Sequence, residues 1–401
     1  MPTSKYLSNF GVFVLLSVSL SIALADSTQR QNLTGNWGGT RDQLEKNGID
    51  LEAVYTFEVF TNVSGGDTTS DSTNVLGNID LTATLDTEKL GWWKGGTFFI
   101  YYENLHGDEN KTDDAVGGPL DSVSSLVADS FSQFSAWWYQ HEFASGKVRL
   151  KAGKDDANTE FMSSDTTGAF INAGFSSPAN ILYPTFPDPG LGFMGEFQVV
   201  DWLSLSAGIY GADLNGRSNQ DQGLFDGDHI SLAQFNITPT AGDYAGTYRF
   251  GGWYSTLETD EIVPDGETPK DYDNNYGLFV LFDQPIYVPK NDNGRRVDGF
   301  FELSWAPDDR NLVTNYFAFG TLVTGLIPSR PADQTGLAFS FAEASNNLSS
   351  EGITDEKVFE LFYSANVNPW LAVQPDLQWI LDPGGDGDNA FVAGLRTTIT
   401  F

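Results

Sequence analysis

The chain has 401 residues, no cysteine, 54 acidic against 21 basic residues, and a formal net charge of −33. Without thiols there is neither a disulfide framework nor a thiolate metal site. The shortage of Lys and Arg argues against nucleic-acid binding, which requires clustered cations to neutralise phosphates.

Residues 1–25 read as a secretory signal. Lys5 supplies the positive start, the run 11–20 the apolar stretch, and Ala23-Leu24-Ala25 a small-residue cleavage site. The apolar run is short for a spanning helix, which needs roughly 20 residues. Removal leaves 376 residues (401 minus 25) and a charge of −34, since Lys5 departs. Beyond Asp26 no apolar run approaches spanning length, so any membrane crossing must be made by strands.

Residues 26–50 form an N-terminal helical segment. Trp37, Arg41, Leu44 and Glu45 have helical spacing, and Gly48 can close the helix after Asn47. This helix either plugs one mouth of a barrel or tethers the N-terminus.

From Leu51 onward, period-2 segments alternate with clusters of Gly, Asp, Asn and Pro. The segments are 51–63, 73–88, 97–107, 131–143, 147–155, 191–200, 203–212 and 229–239. The second half supplies 244–257, 274–284, 297–307, 312–327, 334–343, 357–367, 370–381 and 390–401. In the first, Leu51, Ala53, Tyr55, Phe57 and Val59 share a face opposite Glu52, Thr56 and Glu58. In the last, Phe391, Leu395, Ile399 and Phe401 lie opposite Arg396, Thr398 and Thr400. Alternation alone fits a soluble sandwich as well.

Sixteen is an even number, as single-chain outer-membrane barrels require. Connections after odd-numbered segments are mostly long and those after even-numbered ones mostly short, the pattern of outer loops and periplasmic turns. The short 308–311 and the longer 285–296 break it. The eight odd connections hold 31 acidic residues and four basic ones (Lys111, Arg217, Lys270, Arg310), a net −27. They serve solubility or bridge lipopolysaccharide through divalent cations, although none has the spacing of a dedicated calcium loop. Aromatic residues near segment ends, including Trp92, Trp93, Trp137 to Tyr139, Trp202, Trp253, Tyr254, Trp305 and Trp370, suit interfacial girdles. The fold class expected over 51–401 is all-β: a 16-stranded antiparallel transmembrane β-barrel with a short N-terminal helix and a long inward-folding loop.

Three blocks then resemble the carbohydrate-selective porins of the OprB family. The first is Leu33-Thr34-Gly35-Asn36-Trp37-Gly38-Gly39-Thr40-Arg41 with Gly48-Ile49. The second is Lys151-Ala152-Gly153-Lys154-Asp155 with Asn158, Glu160-Phe161 and Phe170-Ile171-Asn172. The third is Asn368-Pro369-Trp370, Gln374-Pro375-Asp376-Leu377-Gln378, Pro383-Gly384 and Gly394-Leu395-Arg396. Terminal Phe401 resembles the aromatic residue that barrel-assembly machinery reads. The resemblance implies a sixteen-stranded barrel in the Gram-negative outer membrane for glucose-like mono- or oligosaccharides, with no cofactor. The strong acidity departs from the family pattern and leaves the sugar open. Monomer and homotrimer are both compatible with the sequence.

A sugar-selective pore needs a narrow point with hydrogen-bonding groups and an aromatic face, holding the sugar weakly enough to release it. The connection 156–190 is the candidate to fold inward, with Phe161, Phe170, Asn172, Phe175 and Tyr183 as its stacking and amide contacts. In 147–155, Val148, Leu150 and Ala152 take the lipid face, so Lys147, Arg149 and Lys151 point inward. A charge facing mid-membrane lipid costs about 2–4 kcal/mol. The same parity turns Arg396, Glu58, Asp80, Asp376 and Gln378 inward. Arg249 points inward too only if Phe250, Tyr248 and Tyr254 face lipid, which exposes Trp253 to the lumen. Trp37 and Arg41 of the opening block complete the candidates. Two readings apply to the inward charges: a network that stiffens the wall, or an eyelet of Arg149, Lys151, Glu58 and Asp80.

Competing readings are a general, weakly cation-preferring porin and a non-conducting surface adhesin. An enzyme finds little support. His106, His141 and His229 sit in different elements, and no G-x-S-x-G, P-loop or H-E-x-x-H motif is present.

Overall fold

A computed structural model describes residues 32–108, 110–212, 227–239, 242, 244–264, 266–290 and 295–401. The signal reading of 1–25 and the loop residue Arg217 lie outside the described residues. Among the described residues no helix is long and apolar enough to cross a membrane.

The first eight barrel strands are β1 Ile49–Gly65, β2 Thr73–Asp86, β3 Gly96–Gly107, β4 Phe131–Phe143, β5 Val148–Asp155, β6 Gly190–Val200, β7 Leu203–Gly211 and β8 His229–Ile237. The other eight are β9 Thr247–Ser255, β10 Asn275–Tyr287, β11 Arg296–Trp305, β12 Val313–Thr324, β13 Gln334–Ala344, β14 Asp355–Asn368, β15 Leu371–Leu381 and β16 Ala390–Thr400. Each pairs antiparallel with its neighbour in sequence, and β16 returns to β1, closing the ladder. Tyr55 thus faces Ile79 on one side and Ile399 on the other. Closure has a strict cause: an unpaired backbone group in hydrocarbon costs several kcal/mol, so a spanning sheet tolerates no edge. All sixteen expected segments are strands, with ends displaced by a few residues.

The pleat sorts the side chains as the alternation predicts. Leu81, Leu377, Trp379 and Leu395 are exposed on the outer face, whereas Glu58, Asp376, Gln378 and Arg396 are buried inside. In β4 a bulge at Ser135 shifts the register against β3, so parity changes midway. Trp137 consequently points out, and Trp138 turns in beside Phe99. The outer aromatic residues form the expected girdle in places. Trp93 Nε1 donates to the Tyr139 hydroxyl at 2.7 Å, and that hydroxyl lies 2.6 Å from His141 Nδ1. Trp138 and Trp253, expected in the girdle, lie inside instead.

Before the barrel, a single 3-10 turn (Trp37–Gly39) leads into helix α1 (Thr40–Lys46). Gly48 comes next with φ 88°, a left-handed conformation that glycine adopts without steric cost. The helix does not plug the lumen. Arg41 is buried and donates to Gly35 O at 3.2 Å and Phe401 O at 2.8 Å, tying the N-terminal segment to the end of β16. Trp37 covers the Arg41 guanidinium at 4.3 Å and is itself exposed. Both candidates of the opening block therefore serve the tether between the N-terminal segment and the end of β16.

Two connections on the end opposite this tether turn inward. Residues 156–189 contain three short 3-10 turns, and residues 108–130 contain helix α2 (Lys111–Val116), in a stretch whose sequence shows no helical period. The first packs Phe161, Met162, Ile181 and Tyr183 against inner residues of β6 to β10. Its other part joins Val116, Leu120 and Val123 in burying Phe170, Ile171 and Phe175 against β11 to β16.

Candidate functional site

An inward loop must find partners for its backbone inside the barrel, since buried N–H and C=O groups are rarely left unpaired. Wall carboxylates supply them in pairs. Glu360 of β14 accepts from Ile171 N at 2.7 Å and Asn172 N at 2.8 Å. Glu356, four residues earlier on the same face, accepts from Leu120 N at 2.7 Å and Asp121 N at 3.1 Å. Gln378 donates to Val123 O at 2.7 Å and accepts from the Asn172 amide at 3.1 Å, so one β15 side chain holds both loops. Glu58 accepts from Ser124 Oγ at 2.6 Å and pairs with Arg396, which also reaches Ser125. Asp376 lies beside Gln378 at 3.0 Å.

This placement corrects much of the sequence-derived site. Glu58, Arg396, Asp376 and Gln378 do point inward, but loop residues meet Glu58, Arg396 and Gln378, Asp376 is buried beside Gln378, and Glu58 is only 1% exposed. Phe161, Phe170 and Asn172 are fully buried between loop and wall, so they offer no face to a solute; Phe175 and Tyr183 are covered likewise. Trp253 is not exposed to the lumen, because connection 156–189 packs over it. Parity decides that a side chain faces inward; it does not decide whether water or protein meets it there.

The polar wall that remains partly open runs from β5 to β10. Arg149 is its centre, bidentate to Glu160 at 2.6 and 3.0 Å, with Glu196 at 2.8 Å and Gln140 at 3.2 Å. Its side chain retains 22% exposure and that of Glu196 28%, against 4% for Lys151. Lys151 is sealed beneath, paired with Asp155 and with Glu160 at 2.6 Å. The row continues through Ser204, which donates to Glu196 at 2.8 Å, and Asn236, which donates to Ser204 at 3.2 Å and Ser206 at 3.1 Å. It ends at Arg249, the register partner of Asn236 on β9, with Asp283 at 2.6 Å.

Glu160 lies in the inward connection, outside the spanning strands. Burial would raise its carboxyl, but Lys151 and Arg149 beside it outweigh that and hold it down to about 2.

An aromatic surface adjoins this row. Phe99 and Trp138 stack at 4.9 Å with planes 21° apart, both half-buried, and Lys151 Nζ lies 5.0 Å from the Trp138 ring. Tyr101 stands next on β3 and donates to Asp80 at 2.6 Å. The four candidates of the expected eyelet are therefore distributed: Arg149 stays partly open, Asp80 flanks the aromatic surface, and Lys151 and Glu58 are covered. Sequence reasoning did not single out Glu196, Asp283, Glu356, Glu360 or Phe99 as inner-wall residues, and it took Glu160 only as part of the second block and Trp138 as part of the girdle. Strand parity would have shown Glu196 inward, between lipid-facing Gly195 and Phe197; nothing local marks Trp138, because the bulge at Ser135 reverses the parity before it.

Among the described residues no group of three or more His, Asp or Glu is gathered to hold a metal ion.

Comparison with known proteins agrees with this architecture. Residues 70–401 match the family described as carbohydrate-selective porin, OprB family. Porin B of Pseudomonas aeruginosa is 24% identical, with 94% of this chain and 93% of that protein aligned. The putative porin QuiX of Acinetobacter baylyi is also 24% identical over 94% of each chain. The high-pH structure of Pseudomonas putida OprB superposes with a TM-score of 0.84 at 24% identity, covering 94% of this chain and 99% of that one. A closed sixteen-stranded barrel with a family match over most of its length leaves one assignment: this chain belongs to the OprB family of carbohydrate-selective porins, channels of the outer membrane for passive diffusion of small sugars.

Proposed function

We propose that sugar passes along the wall between the Phe99–Trp138 stack and the polar row from Arg149 to Asp283. One observation carries this reading: the partly open charges are already paired, Arg149 with Glu160 and Glu196, Arg249 with Asp283. A paired row of two arginines and three carboxylates offers donors and acceptors to neutral hydroxyls with little net charge, and the flat aromatic surface suits a pyranose C–H face. Its ligands are neutral hexoses and short oligosaccharides, with no cofactor. Phe401 is the residue offered to barrel-assembly machinery, and the acidic outer loops face lipopolysaccharide through exchangeable divalent cations.

Purified protein in planar bilayers tests the route. Glucose or maltose should block conductance saturably in the wild type. Arg149→Gln and Trp138→Leu should each weaken the block about tenfold, the scale of a lost charged hydrogen bond or stacking contact. Equal block in both variants would remove the proposed route. Unblocked, cation-biased conductance in the wild type would support a general porin, and negligible conductance an adhesin.

A further inference from the structure

The outer face of β9 to β14 carries an apolar groove of about 570 Å³. Its floor is Gly299, an outward position in β11 between Val297 and Phe301, where the absence of a side chain opens the wall. Phe282, Phe301, Phe319, Leu337 and Phe359 stand around it. At the end nearer the β10–β11 turn, Tyr248 donates to Gln284, and Gln284 donates to Tyr244 O at 2.9 Å, so the groove ends in polar groups.

That turn differs from the rest of the chain in charge. Residues 290–296 hold Lys290, Arg295 and Arg296 against a single acid, Asp292, in a protein with 54 acidic and 21 basic residues. Arg296 pairs with Asp298 at 2.7 Å. Arg295 is exposed and donates to Leu326 O at 2.8 Å; among the described residues no carboxylate pairs with it or with exposed Lys290. Gly299 is four positions beyond Arg295, about 13 Å along a strand. The hydrocarbon depth of one leaflet is about 15 Å. A cation at the interface and a hollow within the leaflet are thus spaced as the two ends of one lipid.

We propose that this groove binds an anionic phospholipid of the periplasmic leaflet, its acyl chain over Gly299 and its phosphate at Arg295 and Lys290. The described ends of the basic turn, Lys290 and Arg295, lie on the side of the short connections and the N-terminal tether. The hollow is apolar and the cations beside it call for an anion, a pairing that one anionic lipid supplies in a single molecule. The basic turn selects an anionic headgroup over a zwitterionic one.

Native mass spectrometry of the detergent-purified full chain, with dioleoylphosphatidylglycerol or dioleoylphosphatidylethanolamine added, reads the site directly. The wild type should retain the anionic lipid preferentially. Replacing both cations (Lys290→Ser with Arg295→Ser) should weaken its binding about fivefold per cation removed, and leave the zwitterionic lipid unchanged. Gly299→Leu should reduce retention of both lipids. A Cβ at 299 would meet Ile286 Cδ1 at 2.7 Å, the end of a flexible side chain, so the barrel accommodates the change. Gly299→Ala provides a milder version, and heat-modifiable mobility confirms closure of each variant. Equal retention of the two lipids by the wild type, or unchanged retention in the variants, would overturn the proposal. So would a change of oligomeric mass in Gly299→Leu, which would assign the groove to a second copy.

Discussion

Glu360 shows how much one side chain can do inside a barrel. Both of its oxygens accept adjacent backbone N–H groups, Ile171 and Asn172, and it is fully buried. Hydrogen bonds to a charged acceptor contribute about 1.5–3 kcal/mol each. Glu360→Gln keeps the shape but turns an amide N–H toward one of these donors. The expected result is a loosened 156–189 connection, seen as larger, noisier single-channel conductance and a weaker sugar block. Conductance identical to wild type would mean that apolar packing of Phe170 and Phe175 alone holds the loop. Individual residues were only half legible. Parity located Arg149, Glu58, Arg396, Asp376 and Gln378 on the inner face, but their partners come from loops distant in sequence: Arg396 and Ser125 are 271 residues apart. Long-range pairing of this kind leaves no local pattern.

At the scale of elements, strands were the readable part and loops were not. A strand between lipid and lumen must alternate, because each outward position meets hydrocarbon and each inward one does not. The inward connections obey no such period: the length and composition of 156–190 pointed to its inward fold, but α2, the inward turn of its partner connection and the packing of both emerged only in the folded molecule. The bulge at Ser135 had the same effect on a smaller scale, sending Trp138 inward. Helix α1 was visible from its spacing, yet its role depended on Arg41 reaching Phe401 O across 360 residues. Arg41→Ala should therefore destabilise the closure of β1 against β16 by about 2 kcal/mol. Urea titration monitored by heat-modifiable mobility checks this, with sugar block at low denaturant left intact. A midpoint equal to wild type would reduce α1 to a passive leader.

Across the whole molecule, most of the negative charge lies away from the proposed solute route. The odd connections carry a net −27, most of it on exposed loop, although Glu160 belongs to the paired wall row and Asp113, Asp121, Asp156 and Glu356 are buried. Exposed loop charges act through water and are screened within about 10 Å at 0.1 M salt and about 3 Å at 1 M. Cation preference measured by reversal potential should accordingly collapse between these salt concentrations, with the sugar block unchanged. Selectivity that persists at 1 M would place acidic charge in the constriction itself. By itself, the sequence determined the strand number, the closed antiparallel order, the inner and outer faces, and the charge of the loops, since lipid and backbone hydrogen bonding impose these locally. Only the tertiary structure decided which inward residues remain open. Filling a lumen depends on loops whose partners lie far away in sequence, and their burial of Glu58, Lys151 and Phe170 leaves Arg149, Glu196 and Trp138 partly open on the inner wall.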